Sequence, residues 1–212
     1  MGTIELLAII FVIILLSMTL HEAMHAFMSY ALGDDTAKAQ GRLTLNPLKH
    51  IDPFMTILLP LVMAVAGGPI FGGAKPVPFN PQRVRYGEWG VALVALAGPL
   101  TNLLIAFIAF GVGVIVTSSF TQSSMVSEVL FLVVRVNLGF FAFNMLPIPP
   151  LDGSRVLYAL APESVRRGME WIEQYGVMLV FALVLIGSNL IGQIMQTIIS
   201  AIVAAFRVVF GV

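Results

Sequence analysis

His21-Glu22-Ala23-Met24-His25 sets two imidazoles four residues apart with a carboxylate next to the first. On a helix, that spacing puts both rings on one face, where they can reach a single metal ion. Glu22 is then placed to take a proton from water activated by that metal. The bland alternative is a polar pair that hydrogen-bonds two helices together. A catalytic zinc site usually takes three protein ligands and keeps one position for water, so one ligand is missing. Position 31, where an extended zincin pattern would put a third histidine, is Ala31. The remaining histidine, His50, lies in the charged run Lys49-His50-Ile51-Asp52 and reads as a surface residue.

A better third ligand closes the run Phe143-Asn144-Met145-Leu146-Pro147-Ile148-Pro149-Pro150-Leu151-Asp152-Gly153. Three prolines in four residues must break a helix and expose backbone carbonyls. At membrane depth such a break survives only against protein or a water-filled cavity. Asp152 could simply cap a helix over Gly153–Leu160. Beside a two-histidine site short of a ligand, its carboxylate becomes the leading candidate.

The elements that carry these residues are membrane spans. Hydrophobic residues make up 58% of the 212, charged residues 10%, and formal net charge is zero. Soluble chains carry about 25% charged residues. The charge balance leaves no basic footprint for nucleic acid, and the absence of cysteine excludes thiolate chemistry and disulfides. Spans are expected near residues 3–32, over Val91–Val116 and Val129–Leu146, and from Val177–Gly187, with Leu190–Val212 either a fifth span or, by preference, a helix along the interface. Pro53–Ala66 suits a re-entrant segment better than a crossing, because Gly67–Gly73 forbids a continued helix. His21 and His25 then sit roughly 18 and 12 Å below the helix end at Gly33, at 1.5 Å per residue. At that depth, ionisable groups are costly unless paired or metal-bound.

A His-Glu-x-x-His on a membrane helix, followed far downstream by Asn-x-x-Pro-x-Pro-Pro-Leu-Asp-Gly, resembles the site-2 protease family of intramembrane zinc metalloproteases. The likeness runs from Ile4 to Leu160, and the two motifs in this order are specific together. The resemblance implies His21, His25 and Asp152 as ligands of one zinc per chain, with Glu22 as catalytic acid/base. It implies substrate contacts from Asn144, and Gly98-Pro99-Leu100-Thr101-Asn102 resembles the family's Gly-x-x-x-Asn element, so Asn102 joins them. No PDZ or CBS domain is inserted, so the chain looks like a minimal, prokaryotic-type member.

The expected architecture is an all-α polytopic membrane protein with four to five spans, a re-entrant segment and a short β-hairpin-like element. It forms one domain over 1–212, with a catalytic core at about 3–160 and accessory helices at about 162–212. Gly72–Phe79 reads as an extended strand to which an unwound substrate could add, through Lys75, Val77 and Phe79; a loop that only covers the site is the alternative. Pro162–Tyr175 reads as an amphipathic surface helix. Gly33–Asp52, Lys75–Glu88 and Asp152–Tyr175 each hold three Lys/Arg. The positive-inside rule therefore puts these loops and the site on the cytoplasmic side of the cell membrane, with the amino terminus outside. The expected partners are single-span membrane substrates and the lipid bilayer, with no nucleic acid; oligomeric state is not legible. The rival function is an intramembrane metal transporter using the same cluster, although no inverted repeat supports it.

Overall fold

The computed structural model describes residues 2–53, 56, 73–117, 125–185 and 188–212. Helix α1 runs Thr3–Ala31, followed by the single turn α2 at Thr36–Ala39 and a 3-10 turn at Pro47–Lys49. Then come α3 Gly87–Thr117, α4 Met125–Asn144, α5 Asp152–Leu160, α6 Glu163–Glu173, α7 Gly176–Leu185 and α8 Ser188–Phe210. The apolar runs form helices because hydrocarbon offers the backbone no outside partner, so each N–H and C=O must be satisfied within the segment. Among the described residues, four helices are long and apolar enough to cross a bilayer: Ile4–Ala31, Gly87–Val116, Met125–Asn144 and Asn189–Phe210. Many apolar side chains on them face outward, as lipid-facing helices require.

Helix α3 is the hub, packing against α4, α1 and α5. Its Ala106, Ala109 and Phe110 form a core with Val134 and Leu138 of α4 and Phe206 of α8. Phe206 and Phe210 stack against Phe107 and Phe110 at ring-centroid separations of 5.1–5.8 Å. The carboxy-terminal segment, expected along the interface, is therefore a long apolar helix whose aromatic end is built into the bundle. The fourth span falls in α8, while α7 covers ten residues.

Helix α1 ends where Gly33 adopts φ +104°, and the N–H groups of Gly33 and Asp34 cap the carbonyls of Tyr30 and Ser29. This turn sends the chain back along the end of α1. Most of the expected re-entrant stretch lies outside the described residues. At its margins the Thr56 hydroxyl donates to the Gly73 carbonyl at 2.7 Å, so the loops around Asp52 and Gly73 lie on the same side of the bundle.

No strand or hairpin occurs among the described residues. Gly73–Asn80 is extended but unladdered. Pro76 and Pro78 have no N–H to donate, and the donors at Lys75, Val77 and Asn80 go to a loop carbonyl and two carboxylates instead of a neighbouring strand.

Candidate metal centre

On α1, His21 and His25 stack one turn apart with ring centroids 4.7 Å apart. Their Nε2 atoms are 3.0 Å from each other. The break after α4 delivers the third group: Asp152 Oδ2 lies 3.2 Å from His21 Nε2 and 3.5 Å from His25 Nε2. One ligand atom from each of the three lies within 4.8 Å of the others.

The turn that presents Asp152 is tightly closed. The N–H groups of Met145 and Leu146 bond back to Phe141 and Phe143, and those of Ile148 and Leu151 to Leu146 and Ile148. Gly153 lets this turn lie against the start of α5, since a Cβ there would sit 2.3 Å from the Met145 carbonyl oxygen. Asp152 does not act as a cap; it is the first residue of α5, whose N-cap is Leu151.

The donor chemistry fits a cation. His25 Nδ1 is 2.7 Å from the Val94 carbonyl and His21 Nδ1 is 2.6 Å from Asn102 Oδ1. Both outer nitrogens therefore donate, and in the neutral rings both Nε2 atoms face inward with lone pairs. Two lone-pair nitrogens and a carboxylate oxygen then converge, a donor set that needs a cation, a metal ion or a proton, to join it. Such outer hydrogen bonds are the usual support of metal-binding histidines. Helix α3 leaves the room: a Cβ on Gly98 would stand 2.4 Å from His25 Nε2 and 2.6 Å from His21 Nε2. Only a glycine fits at that approach.

Glu22 points to a different neighbour. Its Oε2 accepts the Val77 N–H at 2.9 Å, which ties the extended segment across the site. The segment is clamped further by Arg42, whose Nη2 donates to the carbonyls of Lys75 at 2.5 Å and Pro76 at 3.4 Å. The Lys75 N–H goes to the His50 carbonyl at 2.9 Å. His50 is not the surface residue expected. It is 2% exposed, and its Nε2 bonds the Thr44 carbonyl at 2.9 Å, because the loop folds under the clamp rather than into water.

The five residues expected to meet substrate are placed as follows. Asn102 is fully buried and its side chain is engaged by His21, Ser17 and Asn137. Asn144 is half-buried and donates to Phe140 of its own helix at 3.1 Å. Lys75 is exposed, Phe79 is half-buried and Val77 is buried. The Val77 N–H, expected to be offered to a substrate strand, is occupied by Glu22 in this arrangement. Sequence reasoning missed Arg42, Asn137 and Ser17. For Arg42 the signal was a charge within a polar turn; for Asn137 it was an amide inside a span, which is costly unless bonded.

Residues 113–187 match Peptidase family M50. A Bacillus subtilis protein named "Putative zinc metalloprotease YwhC" is 38% identical over 97% of this chain and 94% of its own length. Two proteins named "Putative zinc metalloprotease Rip2" are 32% identical (Mycolicibacterium smegmatis) and 30% identical (Mycobacterium tuberculosis) over 81% of this chain. The chain spans 64% and 63% of those two. No solved structure matches.

Proposed function

As the chain belongs to peptidase family M50, the site-2 proteases, and is a multi-pass membrane zinc metalloprotease, we propose that it cleaves single-span membrane proteins within or beside their transmembrane helices. In this reading His21, His25 and Asp152 hold the zinc, and Glu22 is the acid/base. The observation that carries it is the convergence of three lone-pair ligands one residue from a carboxylate, at the depth of a membrane helix. Zinc bound there would supply Lewis-acid polarisation of the scissile carbonyl and a more acidic water.

The chain's own residues do the rest. Glu22 accepts the proton that the attacking water loses and returns it to the departing amine. The Val77 N–H keeps Glu22 Oε2 from swinging away. Asp152 keeps 21% of its side chain exposed against 9% and 11% for the histidines. Water and the substrate backbone therefore approach from the α4–α5 turn, where Asn144 stands.

The substrate helix must unwind first, because its amides are shielded by their own hydrogen bonds. Strand-like pairing with Lys75–Phe79 would offset that cost, once the Val77 contact rearranges or through the carbonyls on that segment. The nine cations of the three charged loops support a cytoplasmic site in a cell membrane. A transporter reading is not favoured, since the relatives carry metalloprotease names.

The test separates binding from chemistry. Purified Glu22→Gln should keep its zinc by metal analysis and lose cleavage of single-span substrates by about 100-fold or more, because an amide cannot take the proton. Undiminished proteolysis by that variant would sink the mechanism.

A further inference from the structure

The two histidines reach the same tautomer by different routes. His25 Nδ1 meets the Val94 carbonyl at 2.7 Å. A carbonyl only accepts, so this nitrogen carries a proton, and in the neutral ring Nε2 is bare. His21 Nδ1 meets the side chain of Asn102 at 2.6 Å, and an amide can present either its oxygen or its NH2. Whichever end faces His21 decides which ring nitrogen holds the proton.

We propose that Asn137 of α4 makes this choice, as a positioning residue that keeps His21 Nε2 unprotonated for the metal. Its Nδ2 lies 2.9 Å from the Val133 carbonyl and 3.0 Å from Ser17 Oγ. The Val133 carbonyl accepts only, so the NH2 end of Asn137 is fixed there and Oδ1 is turned to Asn102. Asn102 answers with Nδ2 at 2.8 Å. The Ser17 carbonyl, 3.4 Å from the same Nδ2, repeats the instruction more weakly. Oδ1 of Asn102 is left for His21, whose Nδ1 must then donate. Asn102 and Asn137 are 0% exposed and Ser17 is 4% exposed, so bulk water does not compete for these bonds. The relay thus runs from a backbone carbonyl on α4, through two amides, to a lone pair on α1. With Asn137 removed, Asn102 can turn over, offer NH2 to His21 Nδ1 and place the ring proton on Nε2, where the metal belongs.

The inference rests on the zinc site proposed above, and its test keeps the two apart. Asn137→Leu fills the same space but has no hydrogen-bonding end. Zinc affinity of the full chain, read by competition with a chromophoric chelator, should fall about 10–100-fold, the usual cost of losing an outer partner of a metal ligand. Nitrogen-15 spectra of the labelled, zinc-stripped chain should show His21 leaving the single Nδ1–H form. The decisive arm adds Asn102→Asp. A carboxylate has oxygen at both ends and no wrong way round, so Asn102→Asp/Asn137→Leu should recover most of the lost zinc affinity. Wild-type affinity in Asn137→Leu would overturn the proposal. So would a double variant no better than the single, which would make Asn137 a packing residue only. Should Asn137→Leu fail to fold, Asn137→Ala replaces it, with the same results expected and the same results overturning the proposal. Wild-type chain that binds no zinc would refute the metal site itself.

Discussion

The ladder joining Ser17, His21, Asn102 and Asn137 lies between three helices, and its links are amides and an imidazole sealed from water. The segment from Gly73 to Arg85 runs along α1 from Glu22 to the helix end and is tied there by charged side chains. Arg42 holds its carbonyls, Glu22 takes an N–H, and Asp34 Oδ2 accepts the Asn80 N–H at 2.7 Å. Arg85 returns the favour by donating to the carbonyls of Ala31 and Leu32 at the end of α1. Helix packing fixes the first region whatever the second does. The second is held by long-range polar contacts together with Val77 packed on Ala26 and Ala37, so we propose it as the part that releases and re-forms around a substrate. The two should therefore fail differently: damage to the ladder removes zinc, whereas damage to the clamp spares zinc and slows cleavage.

Gly98→Ala is the strongest way to test the first half. Its methyl would intrude within 2.6 Å of both inward nitrogens, closer than carbon and nitrogen can approach without something shifting. Since the imidazoles are anchored on their far side by Val94 and Asn102, they cannot retreat without breaking those bonds. Zinc affinity should fall by at least about 100-fold, beyond what loss of an outer partner costs. Zinc binding at wild-type strength in Gly98→Ala would mean that the α1–α3 contact is looser than the geometry states.

The clamp should respond through turnover alone. Arg42→Ala frees the carbonyls of Lys75 and Pro76, and Val77→Pro deletes the N–H that holds Glu22. Misplacing a catalytic group by about an ångström can cost 100-fold, so each variant should lose roughly 10- to 100-fold in kcat with zinc content unchanged. Both act through the same carboxylate, so the double variant should be little worse than either single. Arg42→Lys should fall between, since an ammonium is a point charge without the planar fork of a guanidinium. Val77→Thr keeps the N–H and should be mild. Multiplying losses in the double would show that Arg42 and Val77 act separately.

What the sequence disclosed follows the same division. The grouping of His21, His25 and Asp152 could be read because helical spacing and a proline break are local patterns, and the spans followed from length and hydropathy. Asn102 was visible as part of a motif, but its partner was not, because nothing along the chain says that Asn137 of α4 faces it. His50 was misread for the same reason: a histidine in a charged run looks exposed until a loop is known to fold beneath an extended segment. The hairpin failed because alternating prolines resemble an edge strand, while the bonds that replace a ladder come from Arg42, Glu22 and Asp34, each distant in sequence. The tail over Leu190–Val212 reads as a fifth span or, by preference, a helix along the interface. Its aromatic contacts with α3 could not be seen from composition.

The smallest effects come from two adjacent aspartates that sharpen the contrast between enclosed and open contacts. Asp34 is 0% exposed, and one oxygen takes the N–H and hydroxyl of Thr36 while the other takes the Asn80 N–H. Burial alone would raise its pKa, yet the Thr36 and Asn80 hydrogen bonds and the nearby Arg83 hold it below the ordinary carboxylate value. A depressed folded-state pKa contributes stability that is complete above the unfolded value and drains away as pH falls through the folded one. Asp35 meets Arg83 at 2.5 Å, but the two side chains are 62% and 58% exposed, where such a pair is worth at most about 1 kcal/mol. Asp34→Asn keeps one acceptor and must aim NH2 at a donor, which should cost about 1–3 kcal/mol, seen as a fall of several degrees in Tm in detergent. Asp35→Asn should hardly move Tm, and adding salt should abolish what difference remains. The Asp34→Asn deficit should shrink as pH is lowered below the carboxylate range, because the wild-type residue then loses its charge as well. Equal, salt-sensitive losses from both substitutions would show that the end of α1 is held by surface charge rather than by an enclosed carboxylate.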